Sequence, residues 1–402
     1  MKNGNSKSVL IRGAQVVLPG SVTSGKSLLV EDGLIVRIED EPNRLRSEIT
    51  RNLAGLTLYP GFVDLHIHGA DGVDTMQATA EGLRRVARFL AKAGVTAWMP
   101  TLVPAPDVDY RRAVEAIEGV MKIQDASPAT ARIVGVHYEG PFVNLAQCGA
   151  LRSEYFKPFS SSTDIDDLPT PNGCGAVRMM TLAPEIDGGI ELVRELKKCG
   201  WVPAIGHTRA NVGLLDEAFV AGACHMTHFM NAMAPLHHRV PGPVGWGLSR
   251  DDVTCDVIAD GIHLDPVVLR LLLKTKGAER LSLISDAIAA AGKGDGEYVV
   301  WGETIEVKNG RTRNARGSIA GSVITMLDAA RMMLLIGASK IEVARMAATN
   351  PARLLGIDND CGSIEEGKRA DLVGLDDTGN VRLTMVGGAI VFDDEAGGSN
   401  DQ

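Results

Sequence analysis

The chain of 402 residues is long enough for two or three average domains, or for one α/β barrel with a small companion domain. Its composition, 45% apolar and 23% charged, is that of a globular protein, and a net charge of −9 disfavours nucleic acid and anionic membranes as partners. There is no apolar run of about 18 residues, no signal-peptide core and no clustering of the six cysteines. We therefore expect a cytoplasmic protein with a small-molecule partner.

Residues 8 to about 58 alternate short apolar runs with glycine and proline turns, which predicts a small β module. The predicted strands are residues 9–11, 15–18, 27–30, 34–38 and 56–58. Strands return near the end of the chain, at 371–375, 381–383 and 389–392. Because a few short strands bury little apolar surface alone, we expect both ends of the chain to form one β-sandwich.

Between these ends, strands alternate with helical patterns, as at 79–92, where the apolar residues share one face. Eight strands are predicted: the run that ends at His66 and His68, then 96–99, 133–136, 177–182, 202–205, 224–227, 254–258 and 281–284. This rhythm predicts a (β/α)8 TIM-like barrel. A doubly wound sheet is the alternative, but no Gly-x-Gly-x-x-Gly follows the first strand.

Two segments complete the predicted organisation. Residues 140–175, rich in Pro, Ser and Asn, predict a long loop over the barrel mouth, and helices are predicted at 323–335 and 341–348. The expected domains are residues 1–59 for the first part of the β-sandwich, 60–360 for the barrel and 361–402 for the rest of the β-sandwich.

Polar residues follow the predicted barrel strands at their carboxyl ends. His66 and His68 project together because alternate residues of a strand point the same way. The other strand-end residues are Glu139, His207, His228, His263 and Asp286, from strands three, five, six, seven and eight. Each has an ordinary structural explanation alone, but barrel enzymes build their active sites at this face. Seven such residues predict one site.

The residue types suit metal-dependent hydrolysis. Glu139, His207 and His228 offer one carboxylate and two imidazoles, a ligand trio for Zn²⁺ or Fe²⁺ that leaves a position for water. A bound metal lowers the pKa of its water from about 15.7 to about 7 and polarises a carbonyl. His66 and His68 could hold a second ion, with Glu139 bridging the two ions and Asp286 as a further metal residue nearby, so one or two ions are expected. Asp286 could then move a proton as general acid/base; its alternative role is to cap a following helix.

Several motifs resemble those of the N-acetylglucosamine-6-phosphate deacetylase family of the amidohydrolase superfamily. They are PGFVDLHIHG at 60–69, HYEGPF at 137–142, GHT at 206–208, THFMNAM at 227–233, DGIH at 260–263 and SD at 285–286. GSIAGS at 317–322, NPAR at 350–353 and GKRADL at 367–372 extend the resemblance to about residue 376. The resemblance implies deacetylation of N-acetyl-D-glucosamine 6-phosphate in amino-sugar catabolism.

The resemblance also implies roles for individual residues. Glu139, His207 and His228 would bind the main metal, Asp286 would be the catalytic acid/base, and a second ion would use His66 and His68. Substrate would contact Ala150, Asn231, Ala232 and His263, and Arg239 would reach the phosphate from the partner subunit of a homodimer. Sugar phosphate is the implied partner.

One position departs from the family pattern. Where the family usually has a histidine associated with the acetyl carbonyl, this chain has Leu151, which cannot donate a hydrogen bond. The galacto-configured substrate and another N-acyl substrate therefore stay open as alternatives. A barrel that only binds sugar phosphate is disfavoured by the intact ligand set and Asp286. A hydrolase with a carboxylated lysine is disfavoured because no lysine lies at 179–181, after strand four.

Overall fold

A computed structural model describes residues 8–42, 44–124, 130–172 and 175–394. Its α-helices are Ala80–Lys92, Asp107–Gln124, Thr163–Asp166, Gly189–Lys198, Val212–Ala221, Gly242–Ser249, Pro266–Thr275, Met326–Leu335, Lys340–Ala344 and Asn350–Leu354. None of the helices in these ranges is both long and apolar enough to cross a bilayer. The five cysteines within the ranges are free thiols, and Cys174 lies outside them.

A parallel barrel forms the centre of the molecule, as predicted. Its eight strands in order are Phe62–Ile67, Val95–Leu102, Arg132–Ile133 with Gly135–Glu139, Val177–Leu182, Val202–Ile205, His225–Met226, Thr254–Ile258 and Leu281–Ile284. Each hydrogen-bonds its neighbour in chain order. The first and last strands meet where the Asp286 N–H donates to the His66 carbonyl at 2.9 Å. The (β/α)8 prediction is confirmed.

Strands from both ends of the chain share one sheet. The six-stranded sheet has the order Ala389–Asp393, Val381–Val386, Leu372–Leu375, Thr57–Pro60, Gln15–Leu18 and Ser21–Thr23. A four-stranded sheet, in the order Leu34–Asp40, Lys26–Glu31, Val9–Arg12 and Ile49–Asn52, shares an apolar core with it. This arrangement fits the expected small β domain, whose boundaries at residues 59 and 361 stay predictions.

Two features differ from the sequence expectations. Strands Gly296–Val300, Glu303–Lys308 and Arg311–Arg313 form an antiparallel sheet after the eighth barrel strand, where none was predicted. The helix predicted at 341–348 instead continues past Pro351 to Leu354, through a wide π turn at Arg345–Thr349. Pro351 lies directly after the π turn, in the first turn of Asn350–Leu354, where N–H groups have no partner within that segment.

A short pair of strands and two single turns complete the loops around the barrel mouth. Gly69–Ala70 pairs with Val73–Asp74 just after the first barrel strand. The long loop after the third strand carries 3-10 turns at Leu145–Gln147 and Ser153–Tyr155. These segments lie at the carboxyl end of the barrel, where the predicted site residues gather.

Candidate metal centre and active site

Six predicted site residues converge at the carboxyl end of the barrel, and all are buried. They are His66 and His68 at the end of the first strand, Glu139 at the end of the third, and His207, His228 and Asp286, each two residues beyond the fifth, sixth and eighth strands. The barrel brings them together from distant parts of the sequence because parallel strands end at the same face.

Glu139 lies between two pairs of histidines. Its Oε1 is 2.9 Å from the Nε2 atoms of both His207 and His228. Its Oε2 faces the other pair, 3.3 Å from His68 Nε2 and 3.7 Å from His66 Nε2. The cluster therefore contains two ligand trios that share one carboxylate.

The ring nitrogens are arranged for a cation rather than for hydrogen bonds with one another. The Nε2 atoms are 3.2 Å apart in the His207–His228 pair and 3.1 Å apart in the His66–His68 pair. Nitrogen ligands about 2.0–2.1 Å from a tetrahedral zinc ion lie about 3.3 Å apart. His207 Nδ1 donates to the Gln147 carbonyl at 2.7 Å, which leaves the lone pair on Nε2. The residues present thus fit a divalent metal.

The two carboxylates of the cluster also attract positive charge. Burial lowers the pKa of His68, but its contacts with Asp286 and Glu139 outweigh burial and raise that pKa to about 10. For Glu139 the signs are reversed: burial raises its pKa, but the surrounding imidazoles outweigh burial and hold that pKa well below its ordinary value. A buried group of imidazoles and carboxylates in this state requires protons or metal ions to balance its charge.

Asp286 faces the first pair of histidines. Its Oδ1 lies 3.2 Å from His68 Nε2 and 3.4 Å from His66 Nε2. No helix begins within reach of Asp286, since the next helix in the described range 175–394 starts at Met326. The alternative role of Asp286 as a helix cap is therefore wrong.

Three of the strand-end residues have strained backbones. The φ angles of His207, His228 and Asp286 are +48°, +31° and +48°, in the left-handed region that non-glycine residues rarely adopt. Such a conformation costs on the order of 1–3 kcal/mol per residue and persists only where the surrounding structure holds it. The strain lies at the proposed metal ligands and the proposed acid/base.

Two buried aspartates accept hydrogen bonds at two of these strained turns, those of Asp286 and His228. Asp64 accepts hydrogen bonds from the Ser285 hydroxyl at 2.5 Å and from the Ser285 N–H at 3.2 Å, next to Asp286. Burial raises the pKa of Asp64 to about 6, against the effect of these bonds. Asp256 accepts from the His228 N–H and, at 3.0 Å, pairs with His225 Nε2. Each aspartate thus fixes a strained turn of a neighbouring strand.

The cluster forms the floor of a cavity of about 470 Å³. This volume is within the range of about 300–1,000 Å³ typical of small-ligand sites. The remaining lining comes from residues 146–151, Asn231, Ala232, Ile258, His263, Trp301, Ser318, Ile319 and Gly321. The cavity combines a polar floor with several apolar side chains above it.

A match to known proteins covers most of the chain. Residues 57–391 match the model of the Amidohydrolase family. The chain belongs to the amidohydrolase family. The family inferred from the motifs is therefore confirmed, and so is the prediction that the protein is a hydrolase.

Full-length relatives of this amidohydrolase carry more specific names. It is 34% identical over 389 residues, 96% of the chain and 98% of the relative, to N-acetylglucosamine-6-phosphate deacetylase of Bacillus subtilis. It is 35% identical over 364 residues, 90% of the chain and 94% of the relative, to N-acetylgalactosamine-6-phosphate deacetylase of Escherichia coli. The crystal structure of N-acetylglucosamine-6-phosphate deacetylase from Pasteurella multocida superposes with a TM-score of 0.87 at 28% identity, covering 95% of this chain and 99% of that one.

The residues predicted to bind substrate divide into two groups. Ala150, Asn231, Ala232 and His263 line the cavity of the amidohydrolase, and His263 Nδ1 is held by Asp260 Oδ2 at 2.6 Å. Arg239 is exposed and is not among the lining residues. The structure of one subunit therefore brings the first group to the site and leaves Arg239 outside it.

Sequence reasoning assigned no role to several residues around the site. Trp301 lines the cavity and packs against His68 with ring centroids 4.9 Å apart, but it lies in the hairpin that was not predicted. The aspartates Asp64 and Asp256 lie inside predicted strands, where a charged residue in a buried run was the available signal. A charged residue in a buried run does not show which group it contacts, and Trp301 had no comparable signal.

Asp256→Ala should weaken metal binding by about 10- to 100-fold, the usual effect of removing a hydrogen-bonding partner behind a ligand. The loss follows because the strained His228 backbone loses the acceptor of its N–H. Chelator competition on the purified protein measures the affinity. Asp256→Asn keeps an acceptor and should lose less, and Asp252→Ala, at a carboxylate that is 53% exposed, should match the wild type. Unchanged affinity in Asp256→Ala would contradict the positioning role.

Proposed function

We propose that this amidohydrolase hydrolyses N-acetyl-D-glucosamine 6-phosphate to D-glucosamine 6-phosphate and acetate in amino-sugar catabolism. The observation that carries the proposal is the Glu139-centred cluster with Asp286 beside it, on the floor of a cavity sized for a small ligand. Relatives of the chain over nearly its full length carry this activity in their names.

The cluster residues would hold the metal, zinc or iron(II), at one or both trios. Glu139, His207 and His228 supply the main site, and His66 and His68 with Glu139 supply a second. When bound there, a divalent ion would supply Lewis-acid chemistry, namely polarisation of the amide carbonyl and a lowered pKa of bound water. The chain's own residues fix the imidazoles in place through bonds such as that of His207 to the Gln147 carbonyl.

Asp286 carries the proton during the reaction. As water adds to the carbonyl carbon, the carboxylate accepts a proton from it. When the carbon–nitrogen bond breaks, the same proton passes to the departing amine, so that an amine and acetate are formed. Desolvation favours the neutral form of the Asp286 carboxyl group. The field of His66 and the contacts with His68 outweigh desolvation and keep the pKa of Asp286 below its ordinary value. The group is therefore an ionised carboxylate that can accept a proton.

The sugar phosphate occupies the upper cavity. Asn231, Ala232 and His263 contact it from the loops after strands six and seven, and Ala150 contacts it from the loop after strand three. Arg239, exposed in one subunit, binds the phosphate of the partner's substrate in a homodimer. We propose that the enzyme works in the cytoplasm, the compartment in which amino-sugar catabolism would retain a charged sugar-phosphate substrate.

A second substrate is favoured by a specific observation. The galacto-configured N-acetylhexosamine 6-phosphate is the substrate in the name of a relative that is 35% identical. The Leu151 side chain lines the cavity and has no hydrogen-bond donor. At this position the chain departs further from the pattern of the N-acetylglucosamine-6-phosphate deacetylases. The two candidates differ only in the orientation of one hydroxyl group.

Acetate release tests the proposal. The purified protein with measured metal content is assayed with N-acetylglucosamine 6-phosphate, its galacto epimer and the two unphosphorylated sugars. We expect the gluco-configured phosphate to give the highest kcat/KM and the unphosphorylated sugars the lowest. Preference for the epimer would reassign the substrate, and release from none of the four would contradict the proposed function.

Metal titration distinguishes one ion from two. Leu151 supplies no donor to the carbonyl oxygen, and a missing donor of this kind costs about 10²- to 10³-fold in kcat unless another group replaces it. We expect a second ion at His66 and His68 to replace it, so activity of the apo-protein should keep rising between one and two equivalents of metal. His66→Ala should remove the second rise. Full activity at one equivalent would contradict this prediction.

Mixed subunits test the role of Arg239. We expect Asp286→Asn and Arg239→Ala proteins each to lose most of their activity, and their mixture to regain about a quarter of wild-type activity after subunit exchange. Half the dimers are then hybrids, and one of the two sites in each hybrid has both residues intact. Arg209→Ala, at an exposed arginine outside the cavity lining, serves as the control. No recovery after demonstrated exchange would contradict the proposal that Arg239 crosses the interface.

A further inference from the structure

Trp301 occupies a backbone position that is unfavourable for a tryptophan. Trp301 and Gly302 form the two-residue turn between strands Gly296–Val300 and Glu303–Lys308, with φ angles of +53° and +81°. Hairpin turns with positive φ at both positions favour Asn, Asp or Gly. A bulky side chain in the left-handed region is an outlier, which points to a role for the side chain itself.

The indole ring lies beside the reacting centre. Trp301 is 7% exposed, and its ring meets the His68 imidazole edge-on, with centroids 4.9 Å apart and planes at 81°. His68 Nε2 is in turn 3.2 Å from Asp286 Oδ1. Because Trp301 and Asp286 both line the cavity, the Trp301 side chain bounds the space that the proposed acid/base faces.

The loop that carries Leu151, another lining residue of the cavity, is linked to the hairpin that carries Trp301. The Arg316 guanidinium donates to the Ala150 carbonyl at 3.2 Å and lies 3.5 Å from the Glu303 carboxylate. Glu303 is two residues from Trp301, and Ala150 precedes Leu151, which also lines the cavity. Arg316 therefore ties the hairpin to the long loop, and each of the two segments contributes a large side chain, Trp301 or Leu151, to the cavity lining.

We infer that Trp301 limits the size of the N-acyl group that the enzyme removes. This inference rests on the proposed function, because the carbonyl carbon of a scissile amide must lie next to Asp286. The acyl chain extends from that carbon into space bounded by the indole ring. The loops with Asn231 and His263 take the sugar on the side of strands six and seven. The inference requires that an acetyl methyl group is accommodated beside the ring and that longer acyl chains meet it.

The test compares acyl chain lengths. Wild type, Trp301→Gly and Trp301→Phe are assayed with N-acetyl-, N-propionyl- and N-butyryl-glucosamine 6-phosphate, and metal content is measured in each protein. Glycine accepts the positive φ, so Trp301→Gly removes the ring without adding strain. We expect the butyryl-to-acetyl ratio of kcat/KM to rise at least about tenfold in Trp301→Gly and less in Trp301→Phe, as pocket discrimination of a methylene group predicts.

The outcomes separate this inference from the proposed function. Val299→Ala, in the same hairpin at a side chain that is 76% exposed, is the matched control and should leave the ratio unchanged. An unchanged ratio in both Trp301 variants with normal metal content would overturn the inference alone. If Trp301→Gly does not fold, Trp301→Phe decides by itself. A metal-loaded wild type inactive on all three substrates would contradict both the deacetylase activity and this inference.

Discussion

Glu139→Ala should lose metal from both halves of the cluster and lose activity with it. Glu139 is the carboxylate that both ligand trios share, since one of its oxygens faces His207 and His228 and the other faces His66 and His68. Removing it leaves His207 and His228 with no carboxylate between them, and leaves His66 and His68 with Asp286 as their one remaining carboxylate in the cluster. Metal content per subunit after dialysis, measured beside the rate of acetate release, tests this result.

A surface glutamate provides the control for this variant. Glu191→Ala, on helix Gly189–Lys198 at a side chain that is 63% exposed, should keep the metal and activity of the wild type. A circular dichroism spectrum of Glu139→Ala should match the wild type if the barrel is intact. Stoichiometric metal in a folded Glu139→Ala protein would show that the ion binds elsewhere.

Asp286→Asn should lower kcat by about 10²- to 10⁴-fold, the usual contribution of a general acid/base, while metal stays bound at Glu139, His207 and His228. Asparagine keeps the size of the side chain and tolerates the left-handed backbone better than most residues, so the φ of +48° should persist. Steady-state kinetics and metal analysis of the same sample separate loss of chemistry from loss of metal.

Comparing the change in kcat with the change in KM gives a further test of the role of Asp286. A proton carrier acts on the chemical step, so kcat should fall much more than KM changes. A carboxylate that only binds metal would instead show activity restored by excess metal. Turnover near the wild-type rate in Asp286→Asn would remove this residue from the mechanism.

The sequence was informative where a local pattern sets the structure. A run of β-branched and apolar residues followed by a polar residue marks a strand end, and parallel strands place their ends together, so the convergence of Glu139, His207 and His228 was predictable. The fold prediction followed from the same alternation of strands and helices.

Contacts between distant segments were not predictable in this way. The strained φ at His228 and its bond to Asp256 depend on how two neighbouring strands align, and no local pattern encodes that alignment. The position of Trp301 depends on a hairpin whose strands carry exposed polar residues along one face. The location of Arg239 relative to a site depends on a second subunit and stays a prediction.

The six-stranded sheet has a consequence for how the chain folds. Strand Thr57–Pro60 lies between Gln15–Leu18 and Leu372–Leu375, and one residue, Gly61, separates it from the barrel strand that carries His66. The Gly61 N–H donates to the Asp371 carbonyl at 2.8 Å. During synthesis, strand Thr57–Pro60 therefore has one unpaired edge until the residues near 372 have left the ribosome and can pair with it. A chain truncated before Leu372 should expose this edge, aggregate and leave the histidine strand without its anchor.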